Sequence, residues 1–419
     1  MINITDKKEC CGCEACVQCC PKHCIQMILD DELFYYPIVD TSSCINCGLC
    51  EKICPQIHTQ PNKKPLKVYA AKNLNEEERM HSSSGGVFIT IAHHFIKKGG
   101  IVFGVTYDSD WNVHFSSAET IEEVKAMMGS KYVQAQVGDT YQKAEKQLKT
   151  GREVLFTGTP CHIAGLKNYL RKDYENLFTL DILCAGVPSP GVWHKYLQED
   201  ILTNSTKIIG EKKSISIPKS FLTIKSIEFR DKSARGWEKF SFVVRRKSVS
   251  KTDNDIVLSD MHVNNPFMQG FLSSVYKRRS CHDCKFRRGE SHSDITIADF
   301  WGIKQLMPNF ADDKGVSLVL IGTSKGINLF KSLPLDAVES NYEIVKPLNG
   351  GFNRTIKMHH KRSIFYTALQ QGESFDNALQ ATLHLSPIEK FQKFSKRVLH
   401  KLLHILGLTN NFLYKSLIN

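Results

Sequence analysis

The chain carries Cys10-Cys11-Gly12-Cys13-Glu14-Ala15-Cys16-Val17-Gln18-Cys19-Cys20-Pro21 and, further on, Cys44-Ile45-Asn46-Cys47-Gly48-Leu49-Cys50-Glu51-Lys52-Ile53-Cys54-Pro55. Cys10, Cys13, Cys16 and Cys20 stand at C-x2-C-x2-C-x3-C spacing, with Pro21 behind them. Cys44, Cys47, Cys50 and Cys54 repeat that spacing 34 residues later, with Pro55 behind them. Such a run is the bacterial-type signature of a two-cluster ferredoxin module, in which the fourth cysteine serves the other cluster. It predicts one [4Fe–4S] cluster on Cys10, Cys13, Cys16 and Cys54, and a second on Cys44, Cys47, Cys50 and Cys20. Three thiolates on one tight loop reach three corners of a cubane, so the fourth ligand must come from elsewhere. Each proline turns the chain away. Gly12, Ala15 and Gly48 are small enough to let backbone amides approach the sulfurs and tune the potential.

Three further cysteines, Cys11, Cys19 and Cys24, crowd the first run. Cys13, Cys16 and Cys19 also stand at x2 spacing, which offers a second register, but Pro21 and the 34-residue repeat favour Cys20. The extra three read as buried or spare thiols. The rival to clusters is structural zinc on paired C-x-x-C knuckles, a site that rarely uses a third cysteine at x2 spacing followed by Cys-Pro.

With 419 residues, 42% hydrophobic and 23% charged, the sequence is that of a globular protein of two or three domains. Its formal charge of +12 suits an acidic protein partner, an anionic substrate or a membrane surface. No nucleic-acid-binding motif accompanies that charge. No secretory signal and no run of 18 apolar residues is seen, so the reading expects a cytoplasmic protein without a spanning helix. Fifteen cysteines in that setting point to metal ligation rather than to a disulfide scaffold.

Beyond a polar linker from Gln56 to Pro65, strand and helix patterns alternate. Lys67 begins a strand ("KVYAAK"), and Ser82-Ser83-Ser84-Gly85-Gly86 leads into a helix ("VFITIAHHFIKK") stopped by Gly99-Gly100. "IVFGVTYD" is a strand, and "TIEEVKAMM" a helix with Thr120 as N-cap, followed by Gly129-Ser130-Lys131-Tyr132. "EVLFTG", a Thr157-Gly158-Thr159-Pro160-Cys161 loop and "HIAGLKNYL" form the next unit; "LFTLDILC", ending at Cys184, and "GVWHKYLQED" form another. "SLVLIG" leads into "INLFKSL". The alternation predicts an α/β domain, with an antiparallel insertion over Thr203–Asp260 ("SIEFRD", "FSFVVRR").

Cys161, Cys184, Cys281 and Cys284 lie outside the ferredoxin segment, the first two at carboxyl ends of predicted strands, where α/β folds place their sites. They fit either a third cluster or two core cysteines plus a zinc or redox C-x-x-C. Ser82–Gly86 offers amides and hydroxyls at a helix N-terminus, which reads as an anion site or as an ordinary cap. The same pair of readings holds for the loop at Lys325. Neither a Rossmann fingerprint nor a Walker loop is present.

As an ordered set, the tandem C-x2-C-x2-C-x3-C-P repeat, "SSSGGVF", "GSKYVQ", "TGTPCHIAGL", "LCAGVPSP", "CHDCKFR" and "DITIADFWG" resemble the coenzyme F420 hydrogenase/dehydrogenase beta-subunit family over about residues 1–305. The resemblance implies a flavin- and iron–sulfur-dependent oxidoreductase with three clusters, FAD, a redox-protein donor or acceptor of ferredoxin type, and a small-molecule substrate. The alternative is a non-catalytic subunit that wires a partner enzyme. Carried over by motif, Ser84, Gly85, Gly86, Ser130, Lys131 and Tyr132 become flavin-binding candidates, joined by Thr157, Thr159 and Asp299. Cys161, Cys184, Cys281 and Cys284 become third-cluster ligands. The expected plan is a dicluster ferredoxin domain over 1–60, an α/β flavin and iron–sulfur region in two parts over 66–150 and 151–350, and a helical tail over 351–419. In that tail Ile388, Phe391, Phe394, Val398, Leu402 and Ile405 form a helical stripe beside Lys390, Lys393, Lys396, Arg397 and Lys401. It reads as a helix on its own domain or as a basic amphipathic helix for an anionic membrane or an acidic partner.

Overall fold

Between the two cysteine loops the chain doubles back as a hairpin of β1 (Ile25–Leu29) and β2 (Tyr35–Val39), antiparallel with Met27 opposite Pro37. The Asp30 carboxylate accepts from the Glu32 and Phe34 amides and holds the turn, while Phe34 is fully buried. Helix α1 (Ala15–Cys19) follows the first loop and α2 (Leu49–Lys52) the second, both starting at the same repeat position. This is a computed structural model, and it describes residues 1–61, 63–203, 224–247, 255–287, 289, 292–352, 355–385 and 395.

Behind this module stands an eight-stranded sheet. Its strands are β3 (Lys67–Asn73), β4 (Ile101–Tyr107), β5 (Val113–Ala118), β6 (Val154–Gly158), β7 (Leu177–Ile182), β11 (Ile295–Asp299), β12 (Ser317–Ile321) and β13 (Leu335–Ser340), in the order β13-β3-β12-β11-β7-β6-β4-β5. The centre, β4-β6-β7-β11, is parallel. In β6 Val154, Leu155 and Phe156 are wholly buried, as a strand covered on both faces requires. On either side the pairing turns antiparallel: β5 on β4, and β12, β3 and β13 beyond β11. The sheet is therefore mixed.

The helices of this region are α3 (Glu76–His81), α4 (Val87–Lys97), α5 (Ile121–Met127), α6 (Thr140–Lys149), α7 (Pro160–Leu170) and α8 (Pro190–Tyr196). Ile89, Ile91 and Ala92 of α4 share one core with Val102, Leu155 and Val319 of the sheet. Thr120 and Glu123 close a full capping box on α5. A second, antiparallel sheet of β8 (Ile224–Asp231), β9 (Ser241–Arg246) and β10 (Ile256–Met261) carries the expected insertion. It packs through Phe229 and Phe242 on Trp193, Tyr196 and Phe267, the last of these on α9 (Pro266–Leu272). The short helices α10 (Ile303–Leu306), α11 (Ser324–Ser332) and α12 (Tyr342–Val345) complete this part.

The chain divides into two compact units, Met1–His360 and Lys361–Asn419, so the ferredoxin segment and the large sheet belong to one unit. Within the second, α13 (Arg362–Gln370) and α14 (Phe375–Leu383) are described, the latter capped by Ser374, whose hydroxyl accepts from the Asn377 amide. Apart from Ser395, the helix expected over 387–408 lies outside the described residues. No helix among the described residues is long and apolar enough to cross a membrane.

Candidate iron–sulfur and flavin sites

The two cysteine loops repeat in backbone as well as in sequence. Gly12 and Asn46 occupy the left-handed region (φ 72° and 52°), and so do Glu14 and Gly48 (φ 57° and 71°), each pair 34 residues apart. These two kinks around the central cysteine curl each loop about an open space. One hollow is lined by Cys10, Cys13, Cys16 and Cys54; a second is lined by Cys44, Cys47, Cys50 and Cys20. Each fourth cysteine thus stands with the other loop's three.

A cubane needs a ring of soft donors around a hollow, with amides toward the sulfurs, and both cages fit that requirement. Among the described residues no three His, Cys, Asp or Glu side chains converge to hold a single ion; these thiols stand around a space instead. Ile2 N donates to Cys50 Sγ at 3.3 Å and Asn46 N to Cys44 Sγ at 3.4 Å. Burial pushes the Cys16 and Cys54 thiols above the usual range, so metal binding there must displace protons. The spare cysteines are close by. Cys24 Sγ is 3.4 Å from Cys20 Sγ, Cys19 Sγ donates to Cys16 O at 3.4 Å, and Cys11 is buried on the wall of the first cage.

Cys161, Cys184, Cys281 and Cys284 come together at the carboxyl ends of β6 and β7, which pair with Gly158 beside Asp181. Cys161 opens α7, Cys184 follows β7, and the C-x-x-C pair stands on and just after a short 3-10 turn, Arg279–Asp283. Each thiol lies within electrostatic reach of others in the set. Burial pushes Cys281 up to about 12 and Cys284 up to about 11. Gly186 N donates to Cys184 Sγ at 3.3 Å, and Thr159 Oγ1 lies 3.1 Å from Cys161 Sγ. Four half-buried cysteines with an amide and a hydroxyl turned toward their sulfurs again suit a cluster.

The first cage and this quartet adjoin. The Cys11 thiol lies within electrostatic reach of both Cys13 and Cys161. Gly165 of α7 lets the helix close on the first cage, since a Cβ there would stand 3.1 Å from Cys13 Sγ. The Glu14 carboxylate accepts from Val137 N (3.0 Å) and Gly138 N (2.9 Å), and Gln18 Oε1 from Tyr141 N (2.9 Å). The Arg278 guanidinium, fully buried, donates to Cys10 O and to Gln134 Oε1. Neither Cys11 nor Arg278 stood out in the sequence as functional. The only local signal for Arg278 is its place just before the C-x-x-C pair.

Of the flavin candidates, Ser84, Gly85 and Gly86 lie at the end of β3, Ser130, Lys131 and Tyr132 follow α5, and Thr157, Thr159 and Asp299 lie on or just after β6 and β11. Ser130 N donates to Ser83 Oγ at 2.7 Å, which joins the SSSGG and GSKY loops. Helix α4 starts at Gly86 (φ 83°) with no side-chain cap, leaving its first amides available to an anion. Other candidates already have partners. Ser84 Oγ donates to Val316 O, and Gly85 N to Ser317 Oγ. Lys131 Nζ donates to Met128 O at 3.1 Å, and burial brings its pKa down to about 7. Asp299 pairs with Arg230, its Oδ2 2.5 Å from Nη1, and accepts from Trp237 Nε1 at 2.9 Å. Tyr132 stacks on Phe271, Thr157 Oγ1 donates to Phe103 O, and Thr159 Oγ1 contacts Cys161 and His162. The uncapped helix end fits a pyrophosphate; Lys131 and Asp299 are engaged within the protein. No sequence motif singles out Lys232, buried with its Nζ on Arg79 O, Ser84 O and Lys314 O behind the same loop.

Cysteine cages of ferredoxin spacing set against a mixed α/β sheet define an iron–sulfur electron-transfer protein. Residues 37–56 match the model of the 4Fe-4S binding domain. Residues 151–346 match that of the C terminus of the coenzyme F420 hydrogenase/dehydrogenase beta subunit. Over those residues, somewhat less than half of its length, the chain is similar to the coenzyme F420 hydrogenase/dehydrogenase beta-subunit family. No curated protein matches its sequence. Among solved structures, a chain of the F420-reducing [NiFe] hydrogenase complex from Methanosarcina barkeri is similar at a TM-score of 0.42 and 14% identity, over 76% of this chain and 92% of that one.

Proposed function

We propose that this protein is an oxidoreductase that carries electrons along three cysteine cages, in either direction, and exchanges them through FAD with an organic acceptor. The order is outer cage (Cys20, Cys44, Cys47, Cys50), inner cage (Cys10, Cys13, Cys16, Cys54), and third cage (Cys161, Cys184, Cys281, Cys284). The observation that carries this reading is the Cys11 thiol, which lies within electrostatic reach of a ligand position of the inner cage on one side and of the third cage on the other. When bound, a [4Fe–4S] cluster exchanges single electrons, and a flavin gathers two for hydride-type chemistry. The chain's own residues set the geometry. Cys47 is exposed, so the outer cage is open to a redox partner of ferredoxin type. The inner cage is held on the sheet by Glu14, Gln18 and Gly165, and the α4 end would receive the flavin pyrophosphate.

A second reading is favoured by the engagement of Lys131 and Asp299 inside the protein. In it the chain wires electrons to a partner enzyme and holds no flavin. Anaerobic purification followed by acid extraction separates the two. Released flavin, reduced by a low-potential ferredoxin before extraction, supports the first reading. Iron and sulfide without flavin support the second.

A further inference from the structure

We infer that Arg278 is the fixed counter-charge of the inner cluster and holds its reduction potential above the value that burial alone would set. This rests on the cluster assignment proposed above. Arg278 is 0% exposed. A buried guanidinium without an anionic partner is strongly disfavoured. Yet among the described residues none of its hydrogen bonds goes to a carboxylate. Nε donates to Cys10 O (2.8 Å), Nη1 to Gln134 Oε1 (3.0 Å), and Nη2 to Tyr35 O (3.0 Å) and Cys10 Sγ (3.4 Å). The Tyr36 ring lies 4.1 Å from Cζ and adds only a quadrupole. Glu14, an acid within its field, is bound to the Val137 and Gly138 amides. The group facing Arg278 is therefore the Cys10 sulfur, and with it the anionic cluster that Cys10 would hold.

The consequence follows from charge. One-electron reduction adds one negative charge to the cage, and a cation bonded to a ligand sulfur stabilises the reduced form more than the oxidised one. At the outer cage, the donors to Cys44 and Cys50 are the neutral amides of Asn46 and Ile2. Lys285, a second cation near the inner cage, donates to Gln56 O rather than to a sulfur. The main chain fixes Arg278 toward the third cage as well. Its N donates to Val187 O, and its carbonyl accepts from Cys281 N, both at 2.9 Å. An electron held at the inner cage thus sits beside a cation anchored to the loop that bears the next ligands.

The test is a redox titration followed by electron paramagnetic resonance on the full-length, iron-replete protein, with Arg278→Gln, Arg278→Lys and Arg279→Gln. In Arg278→Gln one wave should move to lower potential by a tenfold change in equilibrium constant, about 59 mV for a one-electron couple, or more. Arg278→Lys keeps the charge, so it should retain its iron and move the same wave by less. Arg279 pairs with Glu32 and touches no sulfur, so Arg279→Gln should move none of the waves. The inference is overturned by unchanged potentials in an Arg278 variant that keeps its iron, by an equal shift in Arg279→Gln, or by loss of a cluster from Arg278→Lys. Iron and sulfide in the unsubstituted protein test the underlying assignment separately. Their absence defeats that assignment before any potential is read.

Discussion

Cys13 is buried against α7, whereas Cys47, its equivalent 34 residues on, is exposed. The cysteine positions and the left-handed kinks are common to both loops; the residues between them are not. Cys11, within electrostatic reach of Cys161, corresponds to the exposed Ile45. Glu14, bonded to two amides of the sheet domain, corresponds to Gly48, which has open space where a Cβ would stand. Gln18, bonded to Tyr141, corresponds to Lys52, which faces solvent. The duplication builds two cages, and the residues outside the cysteine pattern decide which cage faces the sheet domain and which faces solvent.

The largest effect should come from removing the central cysteine of each loop. Cys13→Ala and Cys47→Ala should each lose about four irons. Cys13→Ala should also lower the melting temperature clearly more, because its cage is part of the contact with α7. Equal melting temperatures by calorimetry would break the comparison.

Next come the glycines. A Cβ at Gly12 would run into Gln134 Nε2 and stand 3.1 Å from Arg278 Cζ, in a left-handed backbone. Gly12→Ala should cost about 3 kcal/mol, overpacking added to conformational strain. Gly48→Ala meets nothing within 4 Å and should cost only about 1 kcal/mol of backbone strain. Urea unfolding under anaerobic conditions reads both.

Glu14→Ala leaves the Val137 and Gly138 amides without their acceptor and should cost about 1–2 kcal/mol. Lys52→Ala, at the solvent-facing position, should stay within about 0.5 kcal/mol of the parent. A smaller and purely kinetic difference should appear under an iron chelator. The outer cage, with its exposed Cys47, should lose iron first, and the inner cage later.

Much of this arrangement is legible in the sequence, because ligand spacing is a covalent constraint. The register of the repeat pairs Cys20 with the second loop and Cys54 with the first, and the cavities place them so. Strands with apolar runs, such as Val154–Gly158, and the cap at Thr120 are equally local signals. The mixed character of the sheet is not local. Apolar runs mark β3 and β12 as strands, but their direction is set by which neighbour each one pairs with. The strand β13 has an exposed, charged pattern and carries no apolar signal at all. Arg278 and Cys11 acquire their meaning only when segments more than a hundred residues apart meet at Gln134, Cys161 and the first loop.

The most direct test of the central claim is the iron and acid-labile sulfide content of the full-length protein purified without oxygen, set beside that of Cys161→Ala. Three cages predict about twelve irons and twelve sulfides per chain, falling to about eight of each in the variant. About eight irons in both proteins, with zinc at the C-x-x-C pair, would contradict the third cage and the electron path that ends on it.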